Sequence, residues 1–570
     1  MAGKQRNTKL FQLIGLSIPV LFFIVLEASL RLLDVGEDHA LFIENPVHTD
    51  YLLPRPDVIQ RYFAASESAP NVTLEANFLL KQKPSNGVRL FVQGGSTAAG
   101  YPYGLGASIA GMLDQRLKPS LPNKHVEVVN TALSAVNSFT LLDLADDIIE
   151  QQPDAVLIYA GHNEYLGILG VGSNFTLGSN YWLTRSMLWL KDLRLYQLLQ
   201  GLVYALKQSP EEANTAERER RTVMSQVAKH KNIEFESELY GLGLQQFERN
   251  MKALLDKYAA AGVPVFLATI GANLKDHAPF ESTPIPEAFA EQLPQANNSP
   301  ALESLSTKWF DSTSADLHFQ LGSALYAAGS HAQAKQHFIL AKQHDLLRFR
   351  APEAINSIIR ALTERDNVYL VEAEQRLAQR SPTEIIGNNV MLEHLHPNVE
   401  GYFVIADSFY AAMQTSGVFK PWQSVPIDTA WRNRPVLPAE EYFGYASVLT
   451  LMSDYPFQDA PQPVRLPQPV DWQQQLGRQQ FEKRIDWLTM AKRSAERYEQ
   501  TNNIHMWLKT LQLIADALPH DPLANITIGE RLYMQKRYAE ALHYLLRARR
   551  AGSVGDNLTQ MIEVAQRRTQ

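Results

Sequence analysis

The amino-acid sequence predicts an α/β fold in which helices cover both faces of a parallel β-sheet. Five short apolar runs typical of buried strands lie between Val88 and Glu374, and amphipathic helical segments separate them. This alternation favours parallel strands joined by helical crossovers. Because the chemistry of such sheets lies at the carboxyl ends of the strands, residues that follow strands are the candidates for function.

Each predicted strand has a helical neighbour in the sequence. The run VRLFVQGG, from Val88, leads into a helix with Ile109, Met112, Leu113 and Leu117 on one side. HVEVVNTA leads into the helical pattern LLDLADDIIEQ, and DAVLIYAGHNE is the third strand. LQQFERNMKALLDKYAAAG precedes the fourth strand, VPVFLATIGAN, and NSIIRALTER precedes the fifth, NVYLVEAE.

The N-terminal segment Leu10–Leu33 is apolar and long enough for a membrane helix, spanning roughly 36 Å against a hydrocarbon core of ~30 Å. Charged residues flank it, with Lys4, Arg6 and Lys9 before it and Asp34, Glu37 and Asp38 after it. This asymmetry predicts an uncleaved anchor in a bacterial inner membrane, with the remaining chain in the periplasm. A cleaved signal peptide is the competing interpretation, for which Leu26-Glu27-Ala28 is a poor cleavage site.

Two insertions interrupt the α/β pattern, and helical repeats follow it. Residues 170–240 are rich in Trp and Leu, and they are either extra core helices or a lid or membrane-facing cap. Residues 280–345 end in a helix pair with the small and large residues of a tetratricopeptide repeat, and this spacing recurs near the C-terminus. The predicted division is a membrane helix (10–33), an α/β domain in two parts (34–279 and 346–420), an insertion (280–345), a proline-rich connector poor in helical pattern (421–484) and C-terminal repeats (485–551).

Composition excludes several classes of function. The net charge is −7, so no basic excess favours nucleic acid as a partner. The chain contains 0 cysteines, which excludes disulfides, thiolate metal sites and cysteine nucleophiles.

The turn Gly94-Gly95-Ser96 follows the first strand and raises two possibilities. A phosphate-binding loop would need a following lysine or a G-x-G-x-x-G spacing, and this sequence has neither. A serine nucleophile would need a base, a group that orients the base and donors for an oxyanion. The sequence offers a candidate for each.

His396 is the candidate base, and Glu393, three residues earlier, can accept a proton from one of its ring nitrogens. His394 is a rival, and the three side chains together could suggest a metal site. Three neighbours in a loop lack regular ligand spacing, so we expect no metal. His394 is then expected either behind the site or at the surface.

The oxyanion donors are expected from three strand ends. Asn163 follows the third strand, where its side-chain amide can point at a developing negative charge. The small residues after the second strand allow a backbone N–H, that of Ala135, to face the same point. The backbone N–H of Ser96 completes the predicted oxyanion hole.

These motifs resemble the four blocks of the SGNH (GDSL-type) hydrolase superfamily. Gly94-Gly95-Ser96 resembles its first block with Gly95 for Asp, and Asn130 to Ala135 resembles its second with Ala135 for Gly. Gly161-His162-Asn163-Glu164 resembles the third block, and Glu393 to Pro397 resembles the last; each has Glu for Asp. The GGST, GHNE and HPNVEG forms are those of a bacterial subgroup with an N-terminal anchor and tetratricopeptide repeats.

The resemblance implies a flavodoxin-like three-layer α/β/α sandwich with a five-stranded parallel sheet and no metal or organic cofactor. It implies that Ser96 attacks an ester carbonyl while His396 acts as general base. The leading hypothesis is a membrane-anchored carboxylic ester hydrolase, whose substrate is an ester or an O-acylated envelope glycan. An O-acyltransferase with the same site, or a tetratricopeptide scaffold with a degenerate hydrolase domain, are the alternatives. In each case the repeats are expected to bind a protein partner.

Overall fold

The structure is a computed structural model that describes residues 2–63, 69–122, 124–175, 181–207, 222–227, 232–296 and 298–569. The side chains of residues 2–14, 16, 204–207 and 227 lie outside that description. The strands are β1 (Phe42–Glu44), β2 (Tyr51–Pro54), β3 (Leu79–Leu80), β4 (Gly87–Gly94), β5 (His125–Asn130), β6 (Ala155–Tyr159), β7 (Val265–Ala268) and β8 (Val368–Val371).

The α-helices are numbered in chain order. They are α1 (Ala2–Leu32), α2 (Ser96–Ala99), α3 (Ile109–Ser120), α4 (Ser138–Asp143), α5 (Ala145–Glu150), α6 (Tyr181–Leu190), α7 (Arg194–Lys207), α8 (Val223–Val227), α9 (Glu238–Ala260), α10 (Glu287–Gln292), α11 (Ser299–Lys308) and α12 (Ala315–Ala327). They continue as α13 (His331–His344), α14 (Glu353–Leu362), α15 (Ala373–Arg380), α16 (Val399–Ser416), α17 (Ile427–Arg432), α18 (Pro438–Leu451), α19 (Trp472–Phe481), α20 (Trp487–Gln500), α21 (Ile504–Ala517), α22 (Pro522–Met534), α23 (Tyr538–Arg550) and α24 (Asp556–Thr569).

The main sheet has five parallel strands in the order β5-β4-β6-β7-β8, which confirms the parallel sheet predicted from the alternating pattern. In chain order this is 2-1-3-4-5, the flavodoxin-like arrangement. The chain passes from β4 to β5 on one side of β4, and then crosses to β6 on the other side of β4. The carboxyl ends of β4 and β6 therefore meet at a switch point, where doubly wound sheets open a crevice.

Helices cover both faces of this sheet. On one face α3 and α16 pack together, α3 against β5 and α16 against β7 and β8. On the other face the long helix α9 packs against α4, α5 and α14. The central strands are apolar along their length and buried, as in Leu90, Phe91 and Val92 of β4, because both faces of a parallel sheet are covered.

A small antiparallel sheet, β1-β2-β3, lies beside the main sheet and was not predicted. Buried Arg89 joins the two sheets, because its Nε donates to Glu127 (2.7 Å) and its Nη2 donates to the carbonyl of Leu80 (2.6 Å). These strands have two to four residues, too few for an alternating pattern to stand out.

Helix α1 contains nearly all of the segment predicted as a membrane anchor. The part of that segment before Gly15 lies outside the described side chains. Among the residues that the structure does describe, no helix combines the length and the apolarity that a membrane span needs. The large apolar side chains from Val20 to Val25 are exposed, and Arg31 forms an ion pair with Glu27 at 2.8 Å, one helical turn away.

The insertion at 280–345 consists of helices α10 to α13. In the pair α12 and α13, a Cβ on Gly322 would lie 3.1 Å from the ring of Phe338, so a small residue is needed for this close approach. The pair shares a buried cluster with Phe289 of α10, Leu305 of α11 and Ile385 of the α/β domain. These neighbours bury the apolar face that a lone repeat would leave open.

The stretch 421–484, expected to be poor in helices, contains α17, α18 and α19. Pro438 stands at the first position of α18, where a helix tolerates proline because that N–H has no intrahelical acceptor. Beyond it, antiparallel helix pairs continue to α24, and Gly529 lies close to Leu545 in the pair α22 and α23. The domain boundaries drawn from the sequence, and the assignment of these helices as tetratricopeptide repeats, stay predictions.

Candidate active site

Ser96 lies in the sharp turn between β4 and α2, at the switch point of the sheet. Neither glycine before it has room for a side chain. A Cβ on Gly94 would lie 2.6 Å from the Cβ of Ala98, and one on Gly95 would lie 2.8 Å from Nδ2 of Asn163. The glycines therefore allow close packing of the turn, and Ser96 is left half-buried at the first position of α2.

His396 is the hydrogen-bond partner of Ser96. Although the two residues are far apart in the chain, Ser96 Oγ lies 2.7 Å from Nε2 of His396. The loop that carries this histidine is held by a β-bridge between Met391 and Pro397. The N–H of Leu392 also donates to the carbonyl of His396 (2.8 Å). The predicted nucleophile and base are thus brought into contact.

Glu393 holds His396 from the opposite side of the ring. Its Oε1 contacts Nδ1 of His396 and also accepts a hydrogen bond from the backbone N–H of His396 (3.0 Å). The extra methylene of glutamate is accommodated because both residues belong to one tight loop. With the Nδ1 proton directed at the carboxylate, Nε2 is left as an acceptor for the hydroxyl proton of Ser96.

His394 is buried behind the row formed by Ser96, His396 and Glu393. Of the two positions expected for it from the sequence, the one at the surface is therefore wrong. Its Nδ1 contacts Oε2 of Glu393, so that one carboxylate serves two imidazoles. The ring of His394 packs edge-on against Phe280 and Phe457, at centroid distances of 5.3 and 5.4 Å. Glu393 and His394 are both buried, so this side of the row is shielded from water.

Glu393, His394 and His396 are also close enough to hold a cation, with one ligand atom from each within 4.8 Å of the others. However, the Nδ1 atoms of both histidines face the carboxylate, and Nε2 of His396 faces Ser96. A cation in this cluster would have to displace those hydrogen bonds. The donor set therefore fits a chain of hydrogen bonds from Ser96 to Glu393 better than a metal site.

Burial lowers the pKa of His396 below its ordinary value of 6.5. The Glu393 carboxylate opposes this shift because a nearby negative charge favours the imidazolium. The ring of Tyr101 contributes to the burial, with its centroid 4.7 Å from that of His396. A lowered pKa keeps the imidazole neutral at neutral pH, which is the form that accepts a proton.

Ala135 adopts a left-handed conformation, with a φ of 63°. The resemblance predicts glycine at this position, and a positive φ is the physical reason why glycine is favoured there. The carbonyl of Ala135 accepts a hydrogen bond from the N–H of Ile168 (2.7 Å), which fixes the orientation of the turn. Among the described residues, its own N–H has no backbone or side-chain acceptor.

Asn163 lies in the turn after β6 and lines the same cleft as Ser96. The turn begins at Gly161, whose φ of 148° suits glycine and whose Cβ would lie 2.7 Å from both Ile270 and Ile355. The side-chain nitrogen of Asn163 lies close to Gly95, since a Cβ built there would be 2.8 Å from it, and it is therefore beside the nucleophile.

Glu164, the last residue of the GHNE motif, is buried and connects neighbouring elements of the fold. Its carboxylate accepts hydrogen bonds from the hydroxyl of Ser138 (2.8 Å) and from the side-chain amide of Gln246 (2.6 Å). It thereby ties the end of β6 to α4 and α9. Burial raises the pKa of Glu164 to about 7, and these hydrogen bonds oppose the shift.

The cleft beside Ser96 is small, with a volume of about 20 Å³, or roughly enough for one water molecule. It is lined by Gly95, Ser96, Thr97, Val136, Tyr159, Ala160, Gly161, His162, Asn163 and Leu395. The cleft thus holds the nucleophile and two of the three residues predicted to donate to an oxyanion, Ser96 and Asn163, together with apolar side chains on its wall.

One buried polar atom of this lining, Thr97 Oγ1, has no hydrogen-bond partner among the described residues. The N–H of Ala351 donates to Nδ1 of His162 (3.3 Å), so the ring proton is on Nε2. Burial lowers the pKa of His162 to about 3, and a hydrogen bond with the Gly271 backbone opposes this shift only in part. The ring is therefore neutral. Neither Thr97 nor His162 was assigned a role from the sequence, although His162 lies inside a recognised motif.

Comparisons with known proteins gave structural similarities only. No protein-family model matches the chain, and no curated protein matches it. The solved structures to which it is similar include a lipolytic protein of the G-D-S-L family from Desulfitobacterium hafniense, at 11% identity, covering 57% of this chain and 99% of that one with a TM-score of 0.26.

Two further structures are those of a lipase and of an esterase. A GDSL-like lipase from Bacteroides thetaiotaomicron has 11% identity, coverage of 59% of this chain and 93% of that one, and a TM-score of 0.27. A catalytic mutant of an acetylxylan esterase from Geobacillus stearothermophilus has 13% identity, coverage of 61% and 100%, and a TM-score of 0.27. At such scores, the fold of this chain rests on its own strand order and helix layers.

Proposed function

We propose that this protein is a serine hydrolase of the SGNH (GDSL-type) superfamily that cleaves carboxylic esters. The observation that carries the proposal is the row of contacts from Ser96 through His396 to Glu393. It lies at the switch point of a sheet with flavodoxin-like strand order. Such a row supplies a nucleophile, a general base and a carboxylate that orients the base. The four sequence blocks that resemble the superfamily support the same conclusion.

In the first half of the reaction, Ser96 Oγ attacks the carbonyl carbon of the ester while its proton passes to Nε2 of His396. The carbonyl oxygen becomes negatively charged and accepts hydrogen bonds from the N–H groups of Ser96 and Ala135 and from the Asn163 amide. Collapse of this intermediate breaks the bond to the alcohol oxygen, which takes the proton from His396. Donors held in place before the reaction stabilise such a charge without reorganisation.

In the second half, a water molecule attacks the acyl group on Ser96, and His396 takes one proton from that water. The second tetrahedral intermediate uses the same three donors. When it collapses, the carboxylic acid is released and Ser96 Oγ regains its proton from His396. Glu393 remains ionised throughout and stabilises the imidazolium that forms twice in the cycle.

The proposed substrate is an ester of a short acyl group, such as acetate, on a polar alcohol. A cleft of about 20 Å³ favours an acyl chain of few carbon atoms. Thr97 Oγ1 is buried without a partner among the described residues, and a polar substrate would relieve the free-energy cost of that burial. If the enzyme lies in the periplasm, as proposed below, the alcohol is a sugar hydroxyl of an envelope glycan.

We also propose that the enzyme lies in the periplasm and is held at the inner membrane by its N-terminal helix. The apolar run Leu10–Leu33 and its flanking charges support this location. The helix pairs α12–α13 and α22–α23 support the proposal of a protein-binding repeat surface, because close small-to-large contacts are typical of such repeats.

The proposed activity is tested by hydrolysis of p-nitrophenyl esters from acetate to octanoate. We expect the acetate ester to be the best substrate, and Ser96→Ala to lower kcat/KM by at least about 10³-fold. Ser323→Ala, which removes an exposed hydroxyl from α12, is the matched control and should leave the rate unchanged. A Ser96→Ala variant with wild-type activity would overturn the proposal. Capture of labelled acetyl by an oligosaccharide, instead of release of acetate, would indicate a transferase.

A further inference from the structure

Helices α6 and α7 carry an apolar face that is exposed. Trp189 of α6 is 73% exposed and Leu202 of α7 is 58% exposed. The exposed apolar side chains of the two helices are Trp182, Leu183, Trp189, Leu198, Leu199, Leu202 and Val203. Their spacing of three, four and seven residues places them on one side of each helix. Exposed apolar side chains grouped on one side of neighbouring helices are typical of an interaction surface.

The opposite side of α6 is fixed to the α/β domain. Leu188 is buried in the main core, and the ring of Tyr181 lies 5.5 Å from that of Phe139 in α4. Lys191, just after α6, forms a buried ion pair with Asp143 at the end of α4. Because these contacts anchor one side, the exposed side has a fixed direction relative to the hydrolase domain.

The exposed patch adjoins the apolar part of α1. The Glu27 carboxylate accepts hydrogen bonds from the N–H groups of Arg194 and Leu195 at the start of α7, both at 3.0 Å. Arg31 Nη2 donates to the carbonyl of Asp192 (2.7 Å). Helix α7 therefore begins beside the turn of α1 that directly follows the exposed apolar side chains from Val20 to Val25, and α1 and α7 are in contact.

From these contacts we propose that α6 and α7 form a membrane-docking surface, which inserts its apolar side chains into the lipid layer that also holds α1. The inference rests on the proposed membrane location and is independent of the proposed chemistry. Its consequence is that the hydrolase domain does not swing freely on its anchor, but faces the membrane with one fixed side.

The chemistry of the surface favours lipid over a protein partner. Consecutive residues of α1 from Val20 to Val25 are exposed all round the helix, and lipid is the solvent that suits such a helix. Tryptophan side chains such as Trp189 prefer the level of the lipid headgroups. The described charged side chains of the two helices are Arg185 and Arg194, against seven exposed apolar side chains, so apolar insertion and not attraction to anionic lipid is the main interaction.

Because the chain contains 0 cysteines, single cysteines can be introduced and nitroxide-labelled without background. Trp189→Cys and Leu202→Cys report on the surface, and Val554→Cys, on an exposed turn near the C-terminus, is the matched control. The full chain is reconstituted into phosphatidylcholine vesicles. Electron paramagnetic resonance then measures collision of each label with oxygen, which concentrates in lipid, and with a water-soluble nickel chelate.

We expect the oxygen-to-nickel collision ratio to be several-fold higher at positions 189 and 202 than at position 554. Protein that sediments with vesicles but shows water-exposed labels at 189 and 202 would overturn the inference. Labels shielded from both reagents would indicate a protein contact or a second copy, and would also overturn it. Protein that stays with the supernatant would refute the membrane location as well. Labelling of Ser96 by a fluorophosphonate in the same samples reports separately on the active site and on folding.

Discussion

Oε2 of Glu393 contacts Nδ1 of His394, while Oε1 of the same carboxylate contacts Nδ1 of His396. Both oxygens of the buried carboxylate are therefore in use, and its plane is set by two imidazoles on opposite sides. His394 does not reach Ser96, so we regard it as a positioning residue. It orients Glu393, which in turn orients the base.

Replacing His394 with phenylalanine is expected to lower kcat/KM by about 10- to 100-fold. The ring still fills the space between Phe280 and Phe457, but one buried oxygen of Glu393 loses its donor, at a cost of about 1–3 kcal/mol. The unpaired carboxylate gains a proton more readily, so the acid limb of the pH–rate profile should move to higher pH. His394→Asn, which keeps an N–H donor, should restore both quantities. A His394→Phe enzyme with an unchanged profile would contradict this role.

The pH dependence of the wild-type enzyme is expected to follow His396. Burial lowers its pKa below 6.5, and protonation of Nε2 removes the acceptor for the Ser96 proton. The value of kcat/KM is therefore at its maximum above that pKa and falls as the pH drops through it. Well below the pKa, kcat/KM falls tenfold for each pH unit. A kcat/KM profile from about pH 2 to 8 measures this. A midpoint at or above pH 6.5 would contradict a base whose pKa is lowered by burial.

Gly95→Ala is expected to lower kcat by about 10²-fold or more while leaving the fold intact. The new Cβ would lie 2.8 Å from Nδ2 of Asn163 and would push that amide away from the oxyanion, which is equivalent to losing one donor. Gly241→Ala, where the added Cβ has open space, is the control. Equal kcat values for the two variants would mean that Asn163 is not a donor.

Ala135→Gly is expected to leave kcat unchanged and to raise the free energy of unfolding by about 1 kcal/mol. The gain comes from relief of the left-handed conformation, offset in part by the greater freedom of glycine in the unfolded chain. Ala135→Val, with a branched side chain at a positive φ, should lose stability. Denaturant unfolding and kcat of both variants test whether only the backbone N–H of this residue takes part in the reaction.

Much of this arrangement was predictable from the sequence. The buried strands are continuous apolar runs, so the five parallel strands and the polar residues at their ends could be read from the pattern. Ser96, Asn163 and His396 each follow a strand or lie in a proline-stiffened loop, and parallel strands bring their carboxyl ends to one edge. Local pattern and global topology agree at these positions.

Other features depend on contacts that no local pattern encodes. The position of His394 is decided by Phe280 and Phe457, which come from distant parts of the chain. Thr97 became a candidate substrate contact only because the cleft leaves its hydroxyl oxygen without a partner among the described residues. The helix α18 was missed because the prolines of the stretch 421–484 suggested a connector, although Pro438 occupies the one helical turn that tolerates it.

The central claim is that Ser96 is a nucleophile activated by His396, and active-site labelling tests it most directly. The purified full chain is treated with a fluorophosphonate, and its intact mass and proteolytic peptides are measured beside those of Ser96→Ala and His396→Ala. We expect a single phosphonyl group on the peptide that contains Ser96, no label on Ser96→Ala and strongly slowed labelling of His396→Ala. Folded wild-type protein that stays unlabelled, or that is labelled equally fast in the His396→Ala variant, would contradict the claim.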